Sequence, residues 1–128
     1  MARILIIEDS GFARRTIGKI LRDGGHEPLE ADGGHEGLDK AEKYEPDCIS
    51  LDLLMPEVDG FDVLSVLRDK GLDIPTIVLS ADIQGSTRER CFDLGAFDFI
   101  NKPPKADELL RAIQKALDST RGAQHEVH

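Results

Sequence analysis

No stretch of this sequence stays apolar long enough to cross a membrane. The N-terminal run Ile4-Leu5-Ile6-Ile7 is short, meets Glu8-Asp9 at once and has no small-residue cleavage site, so it does not read as a secretory signal. Cysteine is scarce. Cys48 and Cys91 stand far apart in apolar surroundings, which excludes the paired spacing of a zinc or redox site and predicts two buried free thiols. Positive charge is in deficit, with 16 Lys and Arg against 25 Asp and Glu, a formal net charge of −9. Such a chain has no electrostatic hold on a nucleic-acid backbone and favours cations and basic partner surfaces. Hairpin signals, low-complexity tracts and Pro- or Gln-rich linkers are absent too. What remains is a cytoplasmic globular protein without direct nucleic-acid binding or membrane insertion.

At 128 residues, 40% hydrophobic and 32% charged, the chain has the size and balance of one domain with its own core. Short apolar runs alternate with longer amphipathic ones. Strands are predicted at residues 3–7, 27–31, 48–52, 75–80 and 97–101. Between and after them, helical spacing predicts helices over 11–22, 34–44, 61–70, 84–94 and 105–117. Asp23-Gly24-Gly25 stops the first helix, Gly95 caps the fourth, and Pro28 suits an edge strand. The domain is expected over residues 1–120, with 121–128 as a flexible tail. Five strand–helix repeats mean an α/β fold: a parallel sheet covered on both faces. Right-handed crossovers then gather the carboxyl ends of the strands along one edge, where ligands bind in open sheets of this kind.

Polar residues collect at that edge. Glu8 and Asp9 follow the first strand, Asp52 closes the third, Ser80 closes the fourth and Lys102 follows the fifth. Three neighbouring carboxylates repel one another unless a cation joins them, and oxygen-only donors suit Mg²⁺ better than zinc. Such a pocket can neutralise an incoming phosphoryl group while an Asp carboxylate attacks phosphorus. Lys102 offers a mobile positive charge to a phosphoryl oxygen, or to Asp52 at rest, and Ser80 a hydroxyl.

Glu8-Asp9, the segment from Leu51-Asp52 through Met55-Pro56 to Asp59-Gly60, Ser80-Ala81 and Asn101-Lys102-Pro103 occur in order. Together they resemble the response-regulator receiver domains of two-component signalling over essentially residues 3–117, in the stand-alone form of the chemotaxis members. The resemblance implies a (βα)5 flavodoxin-like three-layer sandwich with strand order 2-1-3-4-5. It implies that Asp52 takes a phosphoryl group from a sensor histidine kinase or a histidine phosphotransfer protein. Asp9, Asp52 and the backbone carbonyl of Leu54 would ligate Mg²⁺, for which Mn²⁺ can substitute, with Glu8 acting through water. Ser80 and Lys102 would bind phosphoryl oxygens, and the Lys102-Pro103 bond would be cis. Phe99 matches the family's aromatic switch position. Movement of Ser80 toward the phosphoryl group would turn the ring inward and remodel the face of the fourth helix, fifth strand and fifth helix for a downstream protein. The implied protein is no conventional enzyme: it catalyses its own phosphorylation and slow dephosphorylation, as a monomer or a weak phosphorylation-linked dimer.

Two positions depart from the pattern. Leu54 is apolar where some members orient a hydrolytic water, and Asp82 is an acid able to compensate in part. Phe99 replaces the commoner Tyr. Singly, each residue has a plainer reading: Asp52 as a turn cap, Glu8-Asp9 as helix-capping acids, Lys102 as a solvated lysine, Ser80 as a turn starter and Phe99 as a core aromatic. Arg88, Arg90, Lys105, Arg111 and Lys115 read as a solvated face, and the closing His125-Glu126-Val127-His128 as fortuitous spacing in a tail. Three rival functions stay open. A receiver cut from a larger DNA-binding or enzymatic regulator would show the same residues. A phosphohydrolase with an Asp nucleophile would need a second acid at position 54, and a flavin module would need a phosphate loop where Glu8-Asp9 stand.

Overall fold

The computed structural model describes residues 2–82 and 84–126. Strands β1 (Arg3–Ile7), β2 (Glu27–Ala31), β3 (Cys48–Asp52), β4 (Thr76–Ser80) and β5 (Asp98–Asn101) alternate with helices α1 (Gly11–Asp23), α2 (Gly34–Tyr44), α3 (Gly60–Asp69), α4 (Gly85–Asp93) and α5 (Ala106–Glu126). All paired strands run parallel, in the order β2-β1-β3-β4-β5. The expected sheet and its order are both present, and β2, with Pro28, lies at an edge. No helix among the described residues is long and apolar enough to cross a membrane.

Because side chains alternate along a strand, each strand feeds two cores. On one face Ile4, Ile6, Cys48, Ile77, Leu79 and Ile100 pack with Ile17 and Leu21 of α1 and with Leu109, Ile113 and Ala116 of α5. On the other, Leu5, Ile7, Ile49, Leu51, Val78 and Phe99 pack with Ala41 of α2, Val63, Leu64 and Leu67 of α3, and Cys91 of α4. Both cysteines are buried free thiols, as their apolar neighbours predict, and burial pushes the Cys48 thiol up to about 12. Every residue of β3 and of β4 is buried, the pattern of strands flanked on both sides and covered on both faces.

Local chemistry places the ends. Ser10 caps α1 by accepting from the Ala13 amide, and Asp59 and Asp62 form a reciprocal capping box at the start of α3. Gly95 takes a φ of 102° just past α4, the left-handed turn that favours glycine. One helix differs from expectation. α5 continues to Glu126, beyond the predicted end at Leu117 and through most of the predicted tail. Residues 118–126 contain no proline, and Ala123, Gln124 and Glu126 are helix formers, so the single Gly122 does not end the helix. Val127 and His128 of the terminal histidine pair lie outside the described residues.

One core position is costly. The Ser50 hydroxyl on β3 is buried and has no hydrogen-bond partner among the described residues. A buried donor without a partner forfeits its hydration, on the order of 1 kcal/mol or more. Ser50→Ala is therefore expected to leave the urea midpoint unchanged or raise it. A loss above about 1 kcal/mol would show that the hydroxyl has a partner.

Candidate functional site

The carboxyl ends of β1, β3 and β4 and the loop after β5 meet above the two cores. Glu8 follows β1 directly and is 1% exposed; its amide donates to the Ala31 carbonyl at 3.1 Å, and its Oε2 accepts from the Ser10 amide at 3.2 Å. Asp9 beside it is exposed. Asp52 ends β3 and is 5% exposed. Oxygen atoms of Glu8, Asp9 and Asp52 all lie within 4.8 Å of one another.

Lys102 enters from the far side of the sheet. Its amide donates to the Ser80 carbonyl at 2.9 Å, its bond to Pro103 is cis, and its Nζ lies 2.5 Å from Glu8 Oε1 and 3.0 Å from Asp52 Oδ1. Besides the expected contact with Asp52, Lys102 therefore bonds Glu8, a partner that the sequence does not announce. Burial, then the hydrogen bond with Glu8, push the Asp52 carboxyl up to about 7 against the opposing pull of Lys102. For Lys102, burial lowers the ammonium, but the hydrogen bonds to Glu8 and Asp52 and their charge outweigh it and hold it above the usual lysine value. Three carboxylates gather here and one ammonium pairs with two of them, Glu8 and Asp52, an arrangement that a further cation would relieve. The donors are all carboxylate oxygens and one of them, Asp9, faces solvent, so the set fits a hard cation that keeps waters, such as Mg²⁺.

The loop from β3 to α3 is held close to the site. A Cβ on Gly60 would lie 2.8 Å from the Leu53 Cα and 3.0 Å from the Asp52 carbonyl oxygen, so only glycine fits against this backbone. The Gly60 amide donates to the Leu53 carbonyl at 2.9 Å. Leu54, two residues past Asp52, is 64% exposed.

Ser80 and Phe99 stand on the α4 side. The buried Ser80 Oγ accepts from the Asp82 amide at 3.0 Å. Asp82 then accepts from the Gln84 amide at 2.9 Å and from Thr87 Oγ1 at 2.7 Å, and these bonds hold its carboxyl below the usual range. Both its oxygens thereby tie the loop to the first turn of α4. Phe99 is buried in the cluster that holds Val78, Cys91 and Ala96. The Arg88 guanidinium lies over its ring at 5.8 Å and over Phe92 at 5.1 Å, while Arg90 covers Phe61 at 3.9 Å. Both arginines are exposed, as a solvated face requires, and both also lie over aromatic rings.

Arg14 escaped the sequence reading. Its Nη1 donates to the Glu8 carbonyl at 2.8 Å and its Nε lies 3.2 Å from Glu30 Oε1. An arginine on the polar side of an amphipathic helix gives no sign of which loop it will reach.

Comparison with known proteins agrees with this geometry. The family model described as the response regulator receiver domain matches residues 4–114. The chain is 38% identical over 117 residues to the chemotaxis protein CheY of Bacillus subtilis, covering 91% of this chain and 98% of that protein. It is 34% identical over 125 residues to the cell cycle transcriptional regulator CtrA of Caulobacter vibrioides, covering 98% of this chain but only 54% of that longer protein. Among solved structures, the receiver domain of a Francisella response regulator superposes with a TM-score of 0.90 at 26% identity, covering 94% of this chain and 99% of that one.

Proposed function

Since this chain belongs to the response-regulator receiver domain family, a family of phosphoacceptor signalling proteins and not conventional enzymes, we propose that Asp52 is its phosphoryl acceptor. The observation that carries the reading is the Lys102 ammonium seated between Glu8 and Asp52, with Asp9 completing the acid cluster. In the transfer, an Asp52 carboxylate oxygen bonds to phosphorus. The phosphorus–nitrogen bond of a phosphohistidine on a sensor kinase or phosphotransfer protein breaks, and the imidazole keeps the electron pair and takes up a proton. Lys102 is in reach of a new phosphoryl oxygen, and Ser80 supplies a hydroxyl once it leaves the Asp82 amide. Glu8, Asp9, Asp52 and the Leu54 carbonyl are the residues that would hold Mg²⁺, with Mn²⁺ as a substitute. Bound there, the ion supplies charge neutralisation to the phosphoryl oxygens. Incubation with acetyl phosphate and Mg²⁺, read by intact mass, tests the proposal; wild type should gain one phosphoryl group.

Output runs through the link from Ser80 by way of Asp82 to Gln84 and Thr87 at the start of α4, with Phe99 beneath. The face of α4, β5 and α5 is then the surface that changes for a downstream protein. The match to nearly the whole of a chemotaxis protein supports output by binding a separate partner in the cytoplasm. The match to half of a transcriptional regulator supports the second reading, a receiver that governs an attached output domain.

Leu54 bears on the lifetime of the phosphoryl group. An exposed apolar side chain beside Asp52 cannot hydrogen-bond an attacking water. The purified phosphoprotein is expected to persist well beyond seconds after donor removal, and Leu54→Asn to shorten that lifetime. A wild-type half-life of seconds refutes the role given to Leu54.

A further inference from the structure

We infer that Arg14 is a positioning residue for the acid cluster: it fixes the loop that carries Glu8 and Asp9, and so sets the affinity for Mg²⁺. The inference rests on the reading of that cluster as a cation pocket. The Arg14 side chain is only 22% exposed, and it spans two elements. From α1 its Nη1 donates to the Glu8 carbonyl at 2.8 Å, while its Nε reaches Glu30 Oε1 on the edge strand at 3.2 Å. Glu30 is itself held in place. Arg22 Nη2 lies 3.8 Å from its other oxygen, and Lys40 Nζ donates to its backbone carbonyl at 2.5 Å. The Glu8 amide is tied to the same strand through Ala31 at 3.1 Å.

Both backbone polar groups of Glu8 are thereby referenced to β2, the amide directly and the carbonyl through the guanidinium. A planar guanidinium holds two acceptors at a fixed separation, which an ammonium on a flexible stem does not. The carbonyl it grips joins Glu8 to Asp9, so it governs the direction in which both carboxylates leave the chain. Without that grip, the loop gains freedom that cation binding must then remove.

Charge alone predicts the opposite outcome. A guanidinium close to a cation pocket repels the cation, and Glu30 offsets that repulsion. If charge governs, Arg14→Ala should tighten Mg²⁺ binding, Glu30→Gln should weaken it, and the double variant should return to wild type. If positioning governs, Arg14→Ala and Glu30→Gln should both weaken it, and the double variant should be no worse than Arg14→Ala.

Calorimetric titration of Mg²⁺ into wild type, both single variants and the double variant tests the inference. The expected result is a several-fold rise in Kd for Arg14→Ala with a non-additive double variant. Labelling by acetyl phosphate should fall at limiting Mg²⁺ and recover at saturating Mg²⁺. A Kd for Arg14→Ala equal to or below that of wild type, or a double variant at wild-type affinity, overturns it. Should the alanine variant fail to fold, Arg14→Lys, which keeps the charge but not the fork, decides: weaker binding supports positioning and wild-type binding overturns it. A wild type that binds no Mg²⁺, or an Asp52→Asn variant that binds it equally well, sinks the pocket reading and this inference with it.

Discussion

Asp52→Asn is expected to take up no phosphoryl group from acetyl phosphate and, without Mg²⁺, to melt above the wild type. The first effect is total, because an amide is no nucleophile toward phosphorus, and intact mass reads it directly. The second follows from the position of the acid. Asp52 is nearly buried beside Glu8, and its carboxyl is pushed up to about 7 in the folded protein. In the unfolded chain it titrates as an ordinary Asp, near about 3.9. The folded state therefore holds this proton more tightly than the unfolded state. Its contribution to stability is fully present below the unfolded value and is lost as pH rises through about 7. Asparagine cannot ionise. Relative to wild type, the variant should gain on the order of 2 kcal/mol at pH 8, roughly 5–10 °C in Tm, and much less at pH 4. Thermal melts in a chelator at the two pH values check the claim; equal melting at pH 8 would remove it. A phosphoryl group on the asparagine variant would remove the role of Asp52 itself.

Lys102→Ala is expected to act in two directions at once. Metal-free protein should lose stability at pH 8, and its affinity for Mg²⁺ should rise. Lys102 is the single cation within reach of Glu8 and Asp52 among the described residues, at 2.5 and 3.0 Å. Glu8 is 1% exposed, so removing the ammonium leaves a buried carboxylate with no counter-charge. Breaking one side of a buried pair costs several kcal/mol. Lys102 remains 22% exposed, so water screens part of the loss, and about 2 kcal/mol is the expected size. A divalent ion entering the variant meets the same acids without a resident competitor and restores what the lysine supplied. Melts with and without Mg²⁺, together with Mg²⁺ titration, test both signs. A variant that melts with wild type, or that binds Mg²⁺ more weakly, shows that Lys102 is not the counter-ion of this site. Phosphoryl uptake should slow in either case, as the proposed role of Lys102 toward the phosphoryl oxygens requires.

The frame of this site is legible in sequence for a mechanical reason. Alternating strand and helix patterns fix which residues stand at the carboxyl ends of strands, and Glu8, Asp9, Asp52, Ser80 and Lys102 stand there in the structure. Long-range side-chain partners are less legible. Lys102 bonds Glu8 across 94 positions, and Arg14 reaches the Glu8 carbonyl from the second turn of α1. Neither bond has a periodicity or a local motif to announce it. The partners of Asp82, the Gln84 amide and Thr87, depend on the path of a loop that spacing does not specify. The burial of the Phe99 ring, in one cluster with Cys91 and Ala96, depends on tertiary packing that spacing alone does not specify. α5 ran long because helix ends without a breaker leave no mark.

α4 buries one residue, Cys91, against a sheet whose central strands are buried along their whole length. If an element held by so little lies close to balance between alternative placements, as the proposed output through α4 requires, that equilibrium is the one most easily tipped. About 1.4 kcal/mol of differential affinity changes a population ratio tenfold. A single charged group at the strand ends need not overpower the fold to reset such a helix. It need only be worth slightly more in one arrangement than in the other, while the strand that carries it stays where it is.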